Sequence, residues 1–484
     1  MRQIIFITLI TILTFASWTN EKHVDKKDDY EVKQEYAKAL SLSLLFFEAQ
    51  RSGKLPTTNR IPWRYDSLLK PTSHLNLTGG YYNSGINYVK STFPTAFTTT
   101  MLAWGLLTWT EGFYLAGQLN EIYGTIKWAT DYFIKCHRDK NIFVIQVGNI
   151  TYEANYWGRP EELNYDRPIL ETNSTYPASD VIAETAAALA AASIVFKEIF
   201  VDYENSRLCI IHALQLYNFA ANLNESHDLR SHCDLVDCNL SDSKISREYG
   251  DELVWAALWI YRATKSISYL YIAQYFYETL DVDKLNQFVS YDNKGVAVEL
   301  LFAELTKKSN HMNKVEDFCD HMVTDSSIYT NKGLLYVSNR HTLSFAANAA
   351  FVCLAAASSD DYQSKFQYYN FAEEQIDYIL GISTGRSYVV GYGENPPTQP
   401  RHKASSCPSL PQLCEWRQAV EDKPNPQILY GALVSGPDFN DHFVDYRYGN
   451  DTKLYTEVNI EYNAGFTGAL AGLVELNVDD LRNV

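Results

Sequence analysis

Two distant stretches of this 484-residue chain hold the side chains best suited to chemistry. Near the end, Glu457 lies in YTEVNIEYNAGF, preceded by Asp438, Asp441, Asp445 and Arg447 in GPDFNDHFVDYR. Val458, Ile460 and Tyr462 are neighbours of the kind that could keep a carboxyl partly dry and raise its pKa. An ordinary surface glutamate is the plainer alternative. Far upstream, GGYYNSGINYVKSTFPTAFTTTM (79–101) passes through Tyr81 and Tyr82 and turns through Asn83, Ser84, Gly85 and Ile86. Gly and Asn tolerate left-handed backbone angles, so this reads as a tight loop presenting side chains ahead of a helix. An amide can hydrogen-bond a water but cannot take its proton at neutral pH, and a hydrocarbon can do neither.

Helices must position both stretches. Apolar residues recur at helical spacing over Tyr36–Ser52, Ala96–Ala116, Glu121–Cys136, Asp202–Asn222, Glu252–Lys265, Ala297–Lys307, Leu343–Ser358 and Tyr368–Leu380. Ser179–Lys197, SDVIAETAAALAAASIVFK, is the clearest, with Ser179 and Asp180 as its cap and an alanine face that lets neighbours approach closely. No stretch alternates long enough to argue for a sheet, and no linker divides the chain. About a dozen helices in one domain is the expectation.

Composition narrows the partners. With 46% hydrophobic, 14% aromatic and 20% charged residues the chain is globular, and its formal charge of −17 argues against nucleic acid or an anionic membrane. Its 35 tyrosines and nine tryptophans could stack on sugar rings, although core filling accounts for most. Arg2 followed by the apolar run Ile4–Phe15 and small residues reads as a secretory signal peptide (1–19), with a charged leader (20–35) behind it. Secretion suits eight cysteines and six Asn-x-Ser/Thr sites, at Asn76, Asn149, Asn173, Asn224, Asn239 and Asn450. Cys407 with Cys414 and Cys233 with Cys238 are the favoured disulfides; Cys209 and Cys353 read as buried thiols.

The loop at 79–101 resembles the signature of the family 9 glycoside hydrolases, the inverting cellulases. There the turn reads D-A-G-D, and its carboxylates hold and deprotonate the attacking water. Asn83 and Ile86 occupy those two positions. The C-terminal stretch is similar to the family's N-E-V-A-x-D-Y-N-A-G-F, which implies Glu457 as general acid, and the segment before it matches G-P-D-x-x-D-x-[FY]-x-D-x-R. Asp445 is there a catalytic candidate or a loop organiser. Twelve positions separate it from Glu457, three more than the family pattern, and Asn450 lies between. IPWRYDS matches I-P-W-R-x-D-S, where Asp66 would fix the loop. Trp157, Arg159, Pro160 and Glu161 fit a loop that brings a His and a Trp to the cleft, with Ala154 at the His position. Arg340 stands for a stacking Trp, and Pro400-Arg401-His402-Lys403 for P-H-H-R. In many members an Asp-Glu pair and a later Asp bind Ca²⁺; Asp251, Glu252 and Asp292 fall there, and an acidic helix start is the equal alternative.

The resemblance spans Tyr36 to Val478 and implies an all-α (α/α)6 barrel, one catalytic-type domain over residues 36–484, with the cleft at one end. Packing segments match while cleft positions differ, which points to a chain still required to fold but released from the original chemistry. The expectation is a secreted protein with hydrolysis lost or severely reduced. It would bind β-1,4-glucan or a related glycan through Trp157, Tyr81, Tyr82, Tyr462 and His402, with structural Ca²⁺ as a candidate cofactor and no organic one. The alternatives are an active inverting endo-β-1,4-glucanase with an unconventional base, and a non-catalytic interaction protein.

Overall fold

The computed structural model describes residues 26–70, 72, 74–223, 249–285, 288–449 and 452–476. Six of its helices are buried almost throughout: Thr92–Thr108, Ser179–Glu198, Gly250–Thr264, Gly295–Thr306, Thr342–Ala357 and Tyr462–Glu475. Each is apolar around its whole circumference, the pattern of a helix with neighbours on every side. Each packs on the next, and the last returns to the first, so the six close a ring. Lys26–Ala49, Leu119–Cys136, Tyr203–Leu223, Ile267–Thr279, Ser309–Thr324 and Lys365–Leu380 surround it. Leu119–Cys136 shows the outer pattern: Ile122, Ile126, Ala129 and Phe133 face inward at helical spacing. The result is the (α/α)6 barrel.

Ring closure needs small residues. A Cβ on Gly105 would sit 3.0 Å from the Gly468 Cα, so the first and last inner helices meet backbone to backbone. Alanines do similar work along Ser179–Glu198, the described helix long and apolar enough to cross a membrane, which lies wholly inside the core.

Several expectations need correction. The alanine-rich helix has Ala178 at its cap position without a side-chain bond, because Ser179 donates to the Ala220 carbonyl and Asp180 turns to the Val181 amide. The first helix begins at Lys26, inside the segment read as a leader. A small antiparallel sheet exists: Ile142–Val147 pairs with Lys90–Ser91, His137–Asp139 and Ile169–Thr172. Those strands are too short to display alternation. Cys407–Cys414 is a disulfide, but Cys353 is not a free thiol; it joins Cys319 across two neighbouring helices, while Cys136 and Cys209 are free and buried among the described residues. The signal peptide, Cys233, Cys238, Asn224, Asn239 and Asn450 lie outside the described residues.

Candidate active site

Glu457 sits on a short extended segment held on both sides by backbone. It bridges Arg401 in parallel, its carbonyl accepts from the Ser435 amide at 2.9 Å, and Val458 bridges Val434. The loop at 83–86 docks on the same segment. Ser84 bridges Asn459, the Gly85 amide donates to Val458 O at 3.0 Å, and the Ile460 amide donates to Asn83 O at 2.9 Å. Gly85 is obligatory, since a Cβ there would lie 2.2 Å from the Arg401 carbonyl oxygen. Two stretches from opposite ends of the sequence are therefore stitched into one floor, which leaves the Glu457 side chain half-buried.

The two halves of that floor use their side chains differently. Asn83 turns its amide inward: Nδ2 donates to Ser91 O at 3.0 Å and Thr95 Oγ1 at 2.7 Å, and Oδ1 accepts from the Ser91 amide. This corrects the picture of an amide holding a water, because its hydrogen-bonding groups are committed to the start of Thr92–Thr108. Ile86 contributes hydrocarbon, half-exposed. Around Glu457, burial pushes the Arg401 guanidinium down and the carboxylate opposes that shift. Tyr291 and Tyr462 are pushed up chiefly by burial, and both also feel Glu457 and Glu461. Glu461 escaped the sequence reading, although it stands at the Asp of the second signature. His341 rests its ring on Tyr462, centroids 4.9 Å apart.

The acids upstream organise loops. Asp445 accepts from Thr398 N and Oγ1, each at 2.8 Å, and from Gln399 N at 3.0 Å. Asp441 holds Lys332 N and the Tyr378 hydroxyl, and Asp438 accepts from the Asn440 and His442 amides. Asp66 takes the Leu55 amide, while Arg64 pairs with Glu161 at 2.8 Å.

Most of the aromatic and basic residues expected to meet sugar are sealed. Tyr81 is 3% exposed and donates to Thr125 O; Tyr82 is buried, with its hydroxyl 2.8 Å from Ser67 Oγ. Neither can offer a face to a ligand. His402 is not available to a glycan: it is buried, Nδ1 accepts from the Ser405 amide at 3.0 Å, and that leaves Nε2 to donate to Gln50 Oε1 at 2.9 Å. Burial, with Arg64 nearby, pulls its pKa down to about 3. Lys403 turns from the cleft to the carbonyls of Glu153, Ala154 and Tyr156, and burial lowers its pKa to about 7. Trp157 is buried, donates to Ser406 Oγ and is overlain by Trp416. Tyr462 borders Glu457, and it too is buried, with Asn459 beside it.

Asp251, Glu252 and Asp292 do not fit a calcium site. The fully buried Lys294 ammonium lies 2.8 Å from Glu252 and 3.1 Å from Glu184, and its backbone amide donates to Asp251 at 2.8 Å. Burial alone would push Lys294 down, but these three acids outweigh it and hold it above the ordinary lysine value. Asp292 is exposed and bonded to Ser290 Oγ. Among the described residues no three acidic, histidine or cysteine side chains gather as a metal would require.

The model of Glycosyl hydrolase family 9 matches residues 36–470. Endoglucanase A of Bacillus pumilus is 36% identical over 91% of this chain, which spans 66% of that protein's length. Among solved structures, the endoglucanase of the termite Nasutitermes takasagoensis superposes with a TM-score of 0.85 at 42% identity, covering 91% of this chain and 99% of that one. The cellulase Cel9M of C. cellulolyticum, solved with cellobiose, gives 0.80 at 31% identity, over 91% and 98%.

Proposed function

The chain belongs to glycosyl hydrolase family 9, and from that membership we propose that it is a secreted, glycan-binding member whose hydrolytic activity is lost or severely reduced. One observation carries this reading. The loop facing Glu457 offers an amide committed to Ser91 and Thr95 and a hydrocarbon at Ile86, where inverting hydrolysis needs a carboxylate about 6.5–9.5 Å from the acid with a water between. General-base assistance is worth roughly 10²–10⁴-fold, so the remaining acid works alone. β-1,4-Glucan is the ligand class, supported by the cellobiose complex of the related cellulase.

A second reading rests on Glu461. It shares Tyr291 and Tyr462 with Glu457, so an active endo-β-1,4-glucanase would use Glu457 as acid and Glu461 as its unconventional base. Reducing-end release from a soluble cellulose derivative, together with calorimetric titration of cello-oligosaccharides, separates the readings. Heat of binding without turnover supports the first. Turnover at ordinary cellulase rates that disappears in Glu461→Gln supports the second, and neither heat nor turnover points to a protein that recruits other macromolecules.

A further inference from the structure

Trp157, the tryptophan that the sequence offers for stacking on sugar, is only 5% exposed and a second ring covers it. That ring is Trp416, 43% exposed, tilted on Trp157 with centroids 5.3 Å apart. Tyr448, 39% exposed, meets Trp416 edge to face at 6.1 Å. The two half-open rings lie side by side, on loops that also expose Leu410, Leu413 and Val420, and an exposed aromatic face is suited to a flat apolar partner.

Their place relative to Glu457 says what covers them. Tyr448 acts on the Arg401 guanidinium, as Glu457 does. Arg401 Nη1 donates to Gly449 O at 3.3 Å, and its backbone bridges Glu457. The rings are thus continuous with the acid through one arginine. The segment that carries Tyr448 is firmly anchored. Arg447 donates to the Gln418, Glu421 and Lys423 carbonyls and to Asn425, the Tyr446 hydroxyl donates to Val420 O at 3.2 Å, and Thr456 Oγ1 donates to Tyr446 O. The Cys407–Cys414 disulfide ends two residues before Trp416. A platform fixed in this way needs little ordering when it binds.

Resting on the glycan-binding reading above, we infer that Trp416 and Tyr448 form a sugar subsite that takes the apolar face of a pyranose ring of a β-linked glucan whose chain continues past Arg401 to Glu457. A pyranose face of axial C–H groups against an indole gives stacking with little demand on hydroxyl pattern. The open ring belongs to Trp416; Trp157 is its backing.

The test is calorimetric titration of cellobiose through cellohexaose into the intact protein in a Glu457→Gln background, so that turnover cannot consume the ligand. Affinity should rise with chain length until the platform is reached. Trp416→Ala should then weaken the longest oligosaccharide about tenfold while leaving cellobiose unchanged, with Trp416→Phe within about threefold of the parent. Tyr448→Ala should give a smaller loss of the same kind. Matching thermal melts of parent and variants establish that a loss is not unfolding. Equal affinity of Trp416→Ala and parent for every length overturns the subsite and leaves the glycan-binding reading standing. If the parent binds no oligosaccharide, both fall; if the unmutated protein proves hydrolytic yet Trp416→Ala still loses long-chain affinity, the subsite stands and only the reading of lost activity falls.

Discussion

The floor of the cleft joins two segments built with equal care and used in opposite ways. The Glu457 segment is held by its backbone, through Arg401, Ser435 and the 83–86 loop, which leaves its side chain available to the cleft. The Asn83 loop is held by backbone and side chain together, and its polar group is spent on Ser91 and Thr95. Main-chain hydrogen bonds are indifferent to side-chain identity, so the shape of this floor does not depend on which side chains its two segments carry. Geometry and chemistry are separable here, and the separation can be attacked from either side.

The largest effect expected is on rate. Asn83→Asp with Ile86→Asp should raise reducing-end release from soluble cellulose by roughly 10²–10⁴-fold over the unmutated chain, and adding Glu457→Gln should abolish the gain. A double variant no faster than the unmutated chain would count against the reading of a missing base. Next comes the charge beneath the loop. Lys294 lies over Phe93 and Phe97 on the helix that Asn83 holds, and Lys294→Met would leave Glu184, Glu252 and Asp251 without their buried cation. Breaking such a cluster costs about 3–5 kcal/mol, read as a lowered midpoint in urea; an unchanged midpoint would refute the assignment.

His402 gives a pH signature. Its folded pKa of about 3 lies below its ordinary value of 6.5, so between those values the unfolded chain binds the extra proton and the native one does not. Stability from this group is complete above pH 6.5 and is lost as pH falls towards 3, at up to about 1.4 kcal/mol per pH unit. Urea melts at about pH 7 and about pH 4 should show that loss, and His402→Asn should flatten it. The smallest effect states the comparison most directly. Asn83→Ala should cost about 1–3 kcal/mol, because Ser91 and Thr95 lose their partners, whereas Glu457→Gln should stay within about 0.5 kcal/mol. Equal costs would mean that both side chains are structural.

Sequence carried the helices well because an apolar helix such as Thr342–Ala357 or Ser179–Glu198 advertises itself, and the resemblance of the motif segments to the family turned those helices into a barrel. It carried the positions of Glu457, Asn83 and Ile86 but not what Asn83 does, since its partners depend on how the loop turns. Residues whose partners are remote in sequence were read least well. His402 looked available to a ligand because Gln50 is 352 positions away, and Asp251 and Glu252 looked like metal ligands because Lys294 and Glu184 meet them only after folding. Trp416 went unnoticed because nothing local distinguishes an exposed indole from one in the core. The strands were missed for shortness alone.

The meeting of Gly105 with Gly468 has a kinetic side. The earliest inner helix cannot find its final neighbour until all the intervening helices and Tyr462–Glu475 itself have left the ribosome, so the nascent chain must wait as an open arc with one oily flank uncovered. Loop-closure entropy over so long a span is small per added residue but must be met before the contact rewards it. A chain ended just before Tyr462 should therefore accumulate as a chaperone-bound or aggregated arc, and a single methyl at either glycine should delay the final closing step more than any other step of assembly.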